Sequence, residues 1–278
     1  MSPGDFVNDT TTALITPLPA PPAPATATRT TTTTTTTSGP VTGNGSHNKN
    51  NNNNNNKTTA DYLAQFPHLT DLDKRILAQP ADDSRFTPHS WRDLRALLAA
   101  NALHLLTRSP SQTRAYLDWS LDVRARHGSL TDYLLRERLH WTPSANDAHS
   151  GIAFDCADAT PFANAADVRV LRNDWPYGLD EGIAHVCVWV KTPLEVVEVG
   201  GGGEGAGGDL TAEARARVEA YVTETFRVPL GEGEAEADRG ERVLWFKNWA
   251  ALQSVRGVDH VHVLLRDAPP ELLERWMN

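Results

Sequence analysis

Two segments of strict alternation fix the kind of sheet this chain can build. In Ile183–Lys191, Ala184, Val186, Val188 and Val190 share one face, and His185, Cys187, Trp189 and Lys191 share the other. In Asp259–Leu265, Val261, Val263 and Leu265 point one way and His260, His262 and Leu264 the other. A period of two is the signature of a β-strand. The valine faces are core faces. A strand that only had to fill a core would also carry valine at 260 and 262, because a buried imidazole must find hydrogen-bond partners. Two imidazoles on one strand face lie roughly 6.6 Å apart, at about 3.3 Å per residue. That spacing frames a phosphate-sized ligand, or holds one nucleophile beside one helper. The pattern marks a site without naming a reaction.

Not all of the 278 residues can take part in such a fold. Residues 1–58 hold a Pro/Ala run, a Thr tract from Thr30 to Thr37 and an Asn tract from Asn50 to Asn56. Few large apolar side chains are available there to offset ordering, which costs about 1–2 kcal/mol per residue for the backbone alone. This segment is expected to be a disordered tail. It has neither the arginines of a transit peptide nor the apolar core of a signal peptide. No apolar run approaches the ~20 residues that span a bilayer, so no membrane partner is expected. A net charge of −9 argues against nucleic acid, which needs a basic patch. The two cysteines, Cys156 and Cys187, form no disulfide framework and suit a reducing, cytoplasmic setting. No cofactor is implied.

Residues 59–150 read as helical. Ser109-Pro110 starts a helix, with Tyr116, Trp119 and Val123 at helical spacing and Gly128 closing it. A helix over Trp91–Leu106 precedes it, and Ser129 or Thr131 caps the next. Tyr116, Trp119 and Trp141 are expected to pack in the core. In residues 151–278 the character changes to strands at Val168–Arg172, Ile183–Lys191, Arg242–Asn248 and Asp259–Leu265. Asp209-Leu210-Thr211 opens a helix, and Pro269-Pro270 starts a short terminal one. The Gly-rich run Gly200–Gly208 lacks the Gly-Lys-Ser/Thr of a phosphate-binding loop, and the acidic run Gly231–Glu241 reads as a solvated loop. The expected fold is α+β: an antiparallel sheet with helices on one side, packed as one unit with the helical N-terminal portion.

Several motifs in order carry a resemblance. They are Tyr116-Leu-Asp-Trp119, Arg138-Leu-His-Trp141, Asn173-Asp-Trp-Pro-Tyr-Gly178, His185-Val-Cys-Val-Trp189, Trp245-Phe-Lys-Asn248-Trp249, and Ser254-Val255 before His260-Val-His262. Together the chain from Arg108 onward resembles the fungal N-acetylglucosamine-induced protein family, a domain of unknown function. The resemblance implies a soluble intracellular protein of N-acetylglucosamine response or amino-sugar metabolism, and it supplies no catalytic residues. On that basis the expected partner is a phosphorylated sugar or nucleotide sugar held at the two-histidine strand.

The order of elements is also similar to the histidine-triad superfamily of nucleotide hydrolases and transferases, which implies a HIT-like sheet. There, His262 would take the place of a nucleophile attacking an α-phosphorus, with His260 orienting it or contacting phosphate. Asn248 and Ser254 would bond phosphate oxygens and Lys191 would supply charge. Two departures stand against the chemistry: Leu264 occupies the place of a polar phosphate ligand, and Ser254 is farther from His260 than the pattern has it. Asn173 and His185 join the candidate binding set. Trp175 and Tyr177, in a Pro/Gly turn, read either as a stacking surface for a base or sugar ring or as an aromatic plug. The histidines read alternatively as sheet residues satisfied by carboxylates such as Asp259 or Glu181. A metal site is not expected, since about three placed ligands are required and only His185 is an obvious third; Cys187 reads as packing. A non-catalytic interaction protein is the remaining alternative.

Overall fold

Local chemistry starts each helix of the N-terminal portion. The structure, a computed structural model, describes residues 57–144, 152–197, 208–231 and 242–277. The expected tail, the Gly-rich run and the acidic run fall outside these apart from their end residues. Helices α1 (Thr59–Gln65), α2 (Asp71–Leu77), α3 (Trp91–Ala99) and α4 (Pro110–His127) each begin at a capping box. The pairs are Thr58 with Asp61, Thr70 with Asp73, Ser90 with Asp93, and Ser109 with Gln112. In each, the first hydroxyl accepts a backbone N–H and the later side chain accepts one in return, so two orphan donors are satisfied at once. Such a cap contributes about 0.5–2 kcal/mol. Gly128, at φ +86°, closes α4 with its N–H on the Arg124 carbonyl, a conformation that a Cβ would strain. Ser129 then caps α5 (Leu130–Tyr133), which widens into a π-helical segment over Leu134–Leu139. Helix α3 stops at Ala99, short of the expected Leu106. Asn101 turns left-handed at φ 51°, and only a 3-10 turn at Leu103–Leu105 follows.

The sheet is antiparallel throughout, in the order β1 (Val168–Arg172), β2 (Ile183–Val190), β6 (Asp259–Arg266), β5 (Val243–Phe246). A separate pair of short strands joins β3 (Val196–Val197) to β4 (Asp209–Leu210), and β4 stands where a helix start was expected. Thr211 is the actual cap of α6 (Ala212–Val222), which runs on through Thr223–Arg227 into α7 (Val228–Leu230). Helix α8 (Pro270–Met277) follows β6. The long central pair sets Cys187 opposite His262, Val188 opposite Val261 and Trp189 opposite His260. No helix among the described residues is long and apolar enough to cross a membrane.

Helices cover both faces of the sheet, where one covered face was expected. The valine face (Val186, Val188, Val190, Val261, Val263 and Leu265) packs against Ala214, Val218 and Val222 of α6 and against Phe226, with Leu273 and Trp276 of α8 alongside. On the other face, Cys187 and Trp189 meet Leu134, Leu135, Leu139 and Trp141. Leu264 and Phe246 meet Trp91, Leu94, Leu103 and Leu106. The N-terminal helices are therefore the second layer. Burial of β2 and β6 on both sides supplies the reason, since each buried aliphatic side chain contributes roughly 1.5–3 kcal/mol. The described residues, from 57 to 277, form one compact unit.

Candidate functional site

The second layer does not close fully over the histidine face. Between it and the sheet lies a cleft of about 590 Å³ bordered by Cys187, Trp189, His260 and His262 from the strands. Asn173, Trp175 and Tyr177 border it from the turn after β1, and Asn248 and Ser254 from the segment between β5 and β6. Of the residues singled out from sequence, these come together. His185 sits just beneath, bonded to His262. Lys191 does not join them: its ammonium pairs with buried Asp167 at 3.2 Å and lies 5.7 Å from the Trp141 ring centroid.

The imidazoles are held by one another and by amides. His185 Nε2 and His262 Nδ1 are 2.9 Å apart, Asn248 Nδ2 is 3.2 Å from His262 Nε2, and Cys187 Sγ is 3.5 Å from His262 Nδ1. His260 Nδ1 donates to the Val258 carbonyl at 3.0 Å, and its ring stacks on Trp189 at 4.1 Å between centroids. The His262 ring stacks on Phe246 at 4.9 Å, and His185 on Tyr177 at 5.5 Å. Carboxylates do not satisfy the histidines. Asp259 is engaged by Lys247 at 3.0 Å and by the Leu194 N–H at 2.9 Å, while Glu181 is exposed. Burial disfavours the charged imidazolium, so His185 is pulled down to about 3, His260 to about 4, and His262 well below its ordinary value. All three are neutral at pH 7. Burial also pushes the Cys187 thiol up, so by itself it is no nucleophile.

Above this floor stands a wall of rings. Trp175 lies 5.7 Å from Tyr116 and 5.4 Å from Trp119, centroid to centroid. Tyr116 and Trp119 thus line the cleft, where core packing was expected, while Trp141 is buried as expected. Helical spacing showed that these residues share a face; it could not show that the face meets a cavity. The turn carrying Trp175 is pinned by Arg108, whose Nε and Nη2 donate to the Trp175 carbonyl at 3.1 and 2.7 Å. Its guanidinium also lies over Tyr116 at 4.5 Å and Tyr177 at 5.5 Å. At Gly178 a Cβ would fall 2.3 Å from the Phe86 ring, so a side chain there would have to displace that ring. The Tyr116 hydroxyl donates to Ser254 Oγ at 2.8 Å across the mouth.

Sequence reasoning missed the arginines. Arg108, Arg124, Arg138, Arg172 and Arg256 all border the cleft, of which Arg138 pairs with Asp174 at 2.8 Å. They come from separate elements and form no run in the chain. The signals available were Arg138, which opens one of the motifs, and Arg108, directly before the Ser109-Pro110 helix start.

The family model described as protein of unknown function (DUF3605) matches residues 90–266, a span that holds every motif from Tyr116 to His262. The chain belongs to that family. N-acetylglucosamine-induced protein 1 of Candida albicans is 27% identical over 210 residues, 73% of this chain and 78% of that protein. The resemblance read from the motifs holds. The uncharacterized protein YPL067C of Saccharomyces cerevisiae is 27% identical over 177 residues, 63% of this chain and 77% of the relative. The crystal structure of HTC1 is similar with a TM-score of 0.47 and 26% identity, covering 67% of this chain and 91% of that one. The histidine-triad likeness is carried by none of these comparisons.

Proposed function

We propose that the cleft binds a phosphorylated sugar or nucleotide sugar, and that this DUF3605 protein serves N-acetylglucosamine response or amino-sugar metabolism. One observation carries the reading: arginines from several elements rim a cleft with an aromatic wall and a floor of neutral hydrogen-bonding groups. Guanidinium groups favour phosphate, through paired N–H donors as well as charge. The rings of Trp175, Trp119 and Tyr116 suit the face of a base or the apolar side of a sugar. Asn173, Asn248 and Ser254 add amide and hydroxyl groups at the cleft wall. The Candida albicans relative named for induction by N-acetylglucosamine points to the same sugar.

The alternative enzyme reading, a cytoplasmic HIT-like nucleotidyl hydrolase or transferase with His262 as nucleophile, draws on His262 bordering the cleft beside His185. Two features favour binding over it. Leu264 is fully buried among Trp91, Leu94 and Phe246, so no third polar side chain follows on that face. His262 also has both ring nitrogens engaged, one by His185 and one by Asn248.

Calorimetric titration of the full chain with UDP-N-acetylglucosamine tests the reading. Saturable heat is expected, weakened about two- to tenfold by Trp175→Ala, as loss of a stacking contact worth about 0.5–1.5 kcal/mol implies. N-acetylglucosamine 1-phosphate should compete and neutral N-acetylglucosamine should not. No heat with any of the phosphorylated ligands would overturn it.

A further inference from the structure

The register of β2 against β6 gathers three soft donor atoms. His185 and Cys187 lie two residues apart on β2, and His262 stands opposite Cys187 on β6. His185 Nε2 is 2.9 Å and Cys187 Sγ 3.5 Å from His262 Nδ1, and all three atoms lie within 4.8 Å of one another. We propose that this triangle binds a divalent cation of the zinc type, ligated by His185 Nε2, Cys187 Sγ and His262 Nδ1, with its fourth position open to the cleft.

The geometry is near what such an ion requires. Bonds of about 2.0–2.1 Å to nitrogen and about 2.3 Å to sulfur, at tetrahedral angles, hold two nitrogens about 3.3 Å apart and nitrogen from sulfur about 3.6 Å. The imidazole nitrogens must part by a few tenths of an ångström, and the His185–Cys187 edge, which lies within 4.8 Å, must come to about 3.6 Å, both through side-chain torsions. The donor set has no carboxylate, which selects zinc, cobalt or copper over magnesium and calcium. Cys187 and His262 border the cleft, which gives the ion a route in and an exchangeable fourth ligand.

The surroundings of His262 allow the needed tautomer, and at His185 the ion takes the place of the Asn173 amide, whose Nδ2 is 3.2 Å from Nε2. Asn248 Oδ1 is buried without a partner, while its Nδ2 contacts His262 Nε2 and the Tyr177 hydroxyl. Rotating the amide loses no hydrogen bond: Oδ1 then accepts from His262 Nε2–H and from the Tyr177 hydroxyl. That leaves the His262 Nδ1 lone pair free for the ion, with Asn248 orienting the ring from behind, as partners of ligating histidines commonly do. On binding, the Cys187 thiol gives its proton to solvent and a metal–sulfur bond forms. The charged groups acting on Cys187, Arg108 and Asp174, oppose each other in sign.

This site needs no organic ligand, so its test is separate from that of the sugar reading. The full chain, stripped with chelator under reducing conditions, is titrated with cobalt(II). A thiolate-to-cobalt absorption and the visible bands of a tetrahedral centre should saturate at one equivalent and vanish on adding zinc. Cys156→Ser should keep them. Cys187→Ala should remove the thiolate band and weaken zinc binding by more than about 100-fold, and Asn248→Ala by about 10- to 100-fold. No thiolate band in the unaltered chain overturns the proposal, whether or not the variants fold. So does loss of the band with Cys156→Ser, or unchanged zinc affinity in a folded Cys187→Ala.

Discussion

Strands β2 and β6 offer the same backbone to two environments. On one face valines and Leu265 meet α6 and Phe226 in a layer of apolar side chains. On the other, His185, His260 and His262 alternate with those valines, equally buried, and survive because each finds a partner. The valine face is held by shape and apolar area, which do not depend on pH. The histidine face is held by neutral rings bonded to each other and to amides, and it is stable only while they remain neutral. One face is a core. The other is a core that can be addressed from a cleft.

Breaking the dry face should cost most. Phe226, fully buried, closes that layer. Phe226→Ala is expected to lose about 3–5 kcal/mol in urea unfolding, by the same amount at pH 5 and pH 7.5. Next comes an attempt to extend the polar pattern. Leu264→His places an imidazole among apolar Trp91, Leu94 and Phe246, and should cost about 1–3 kcal/mol without creating nucleotide hydrolysis. A gain in hydrolysis would erase the distinction between binding and catalysis at this face.

The most diagnostic effect is in pH. The folded histidines titrate below their ordinary value of 6.5, because burial opposes their charge. Between that value and the folded ones, the unfolded chain binds more protons. Their contribution is therefore complete above pH 6.5 and is lost as pH falls toward about 4 for His260 and about 3 for His185. The expected loss is about 1.4 kcal/mol per pH unit for each histidine. His260→Gln should flatten the curve of unfolding free energy against pH by that amount. An unchanged slope would mean that His260 is not held neutral.

The sequence was most legible where structure is local. Each cap lies within three residues of its partner, so Ser109, Ser129 and Gly128 could be placed by eye. The alternation at 183–190 and 259–265 likewise told which residues share a face. What it could not tell is what each face meets. Tyr116 and Trp119 read as core because helical spacing is the same whether the neighbour is a sheet or a cavity. Cys187 read as packing because its nearness to His262 is a cross-strand fact, set by pairing between residues 75 apart in the chain. Arg108 bears on the cleft through the Trp175 carbonyl, 67 residues away. Such contacts leave no periodic trace.

The pairing of Cys187 with His262 and of Val188 with Val261 has one further consequence. Side chains on a strand change sides at every residue, so a slip of β6 by a single position against β2 would turn His260 and His262 into the valine layer and bring Val261 and Val263 out to the cleft. Core and site are therefore spelled in one reading frame. An insertion or deletion of one residue within either central strand does not trade function against stability; it forfeits both together.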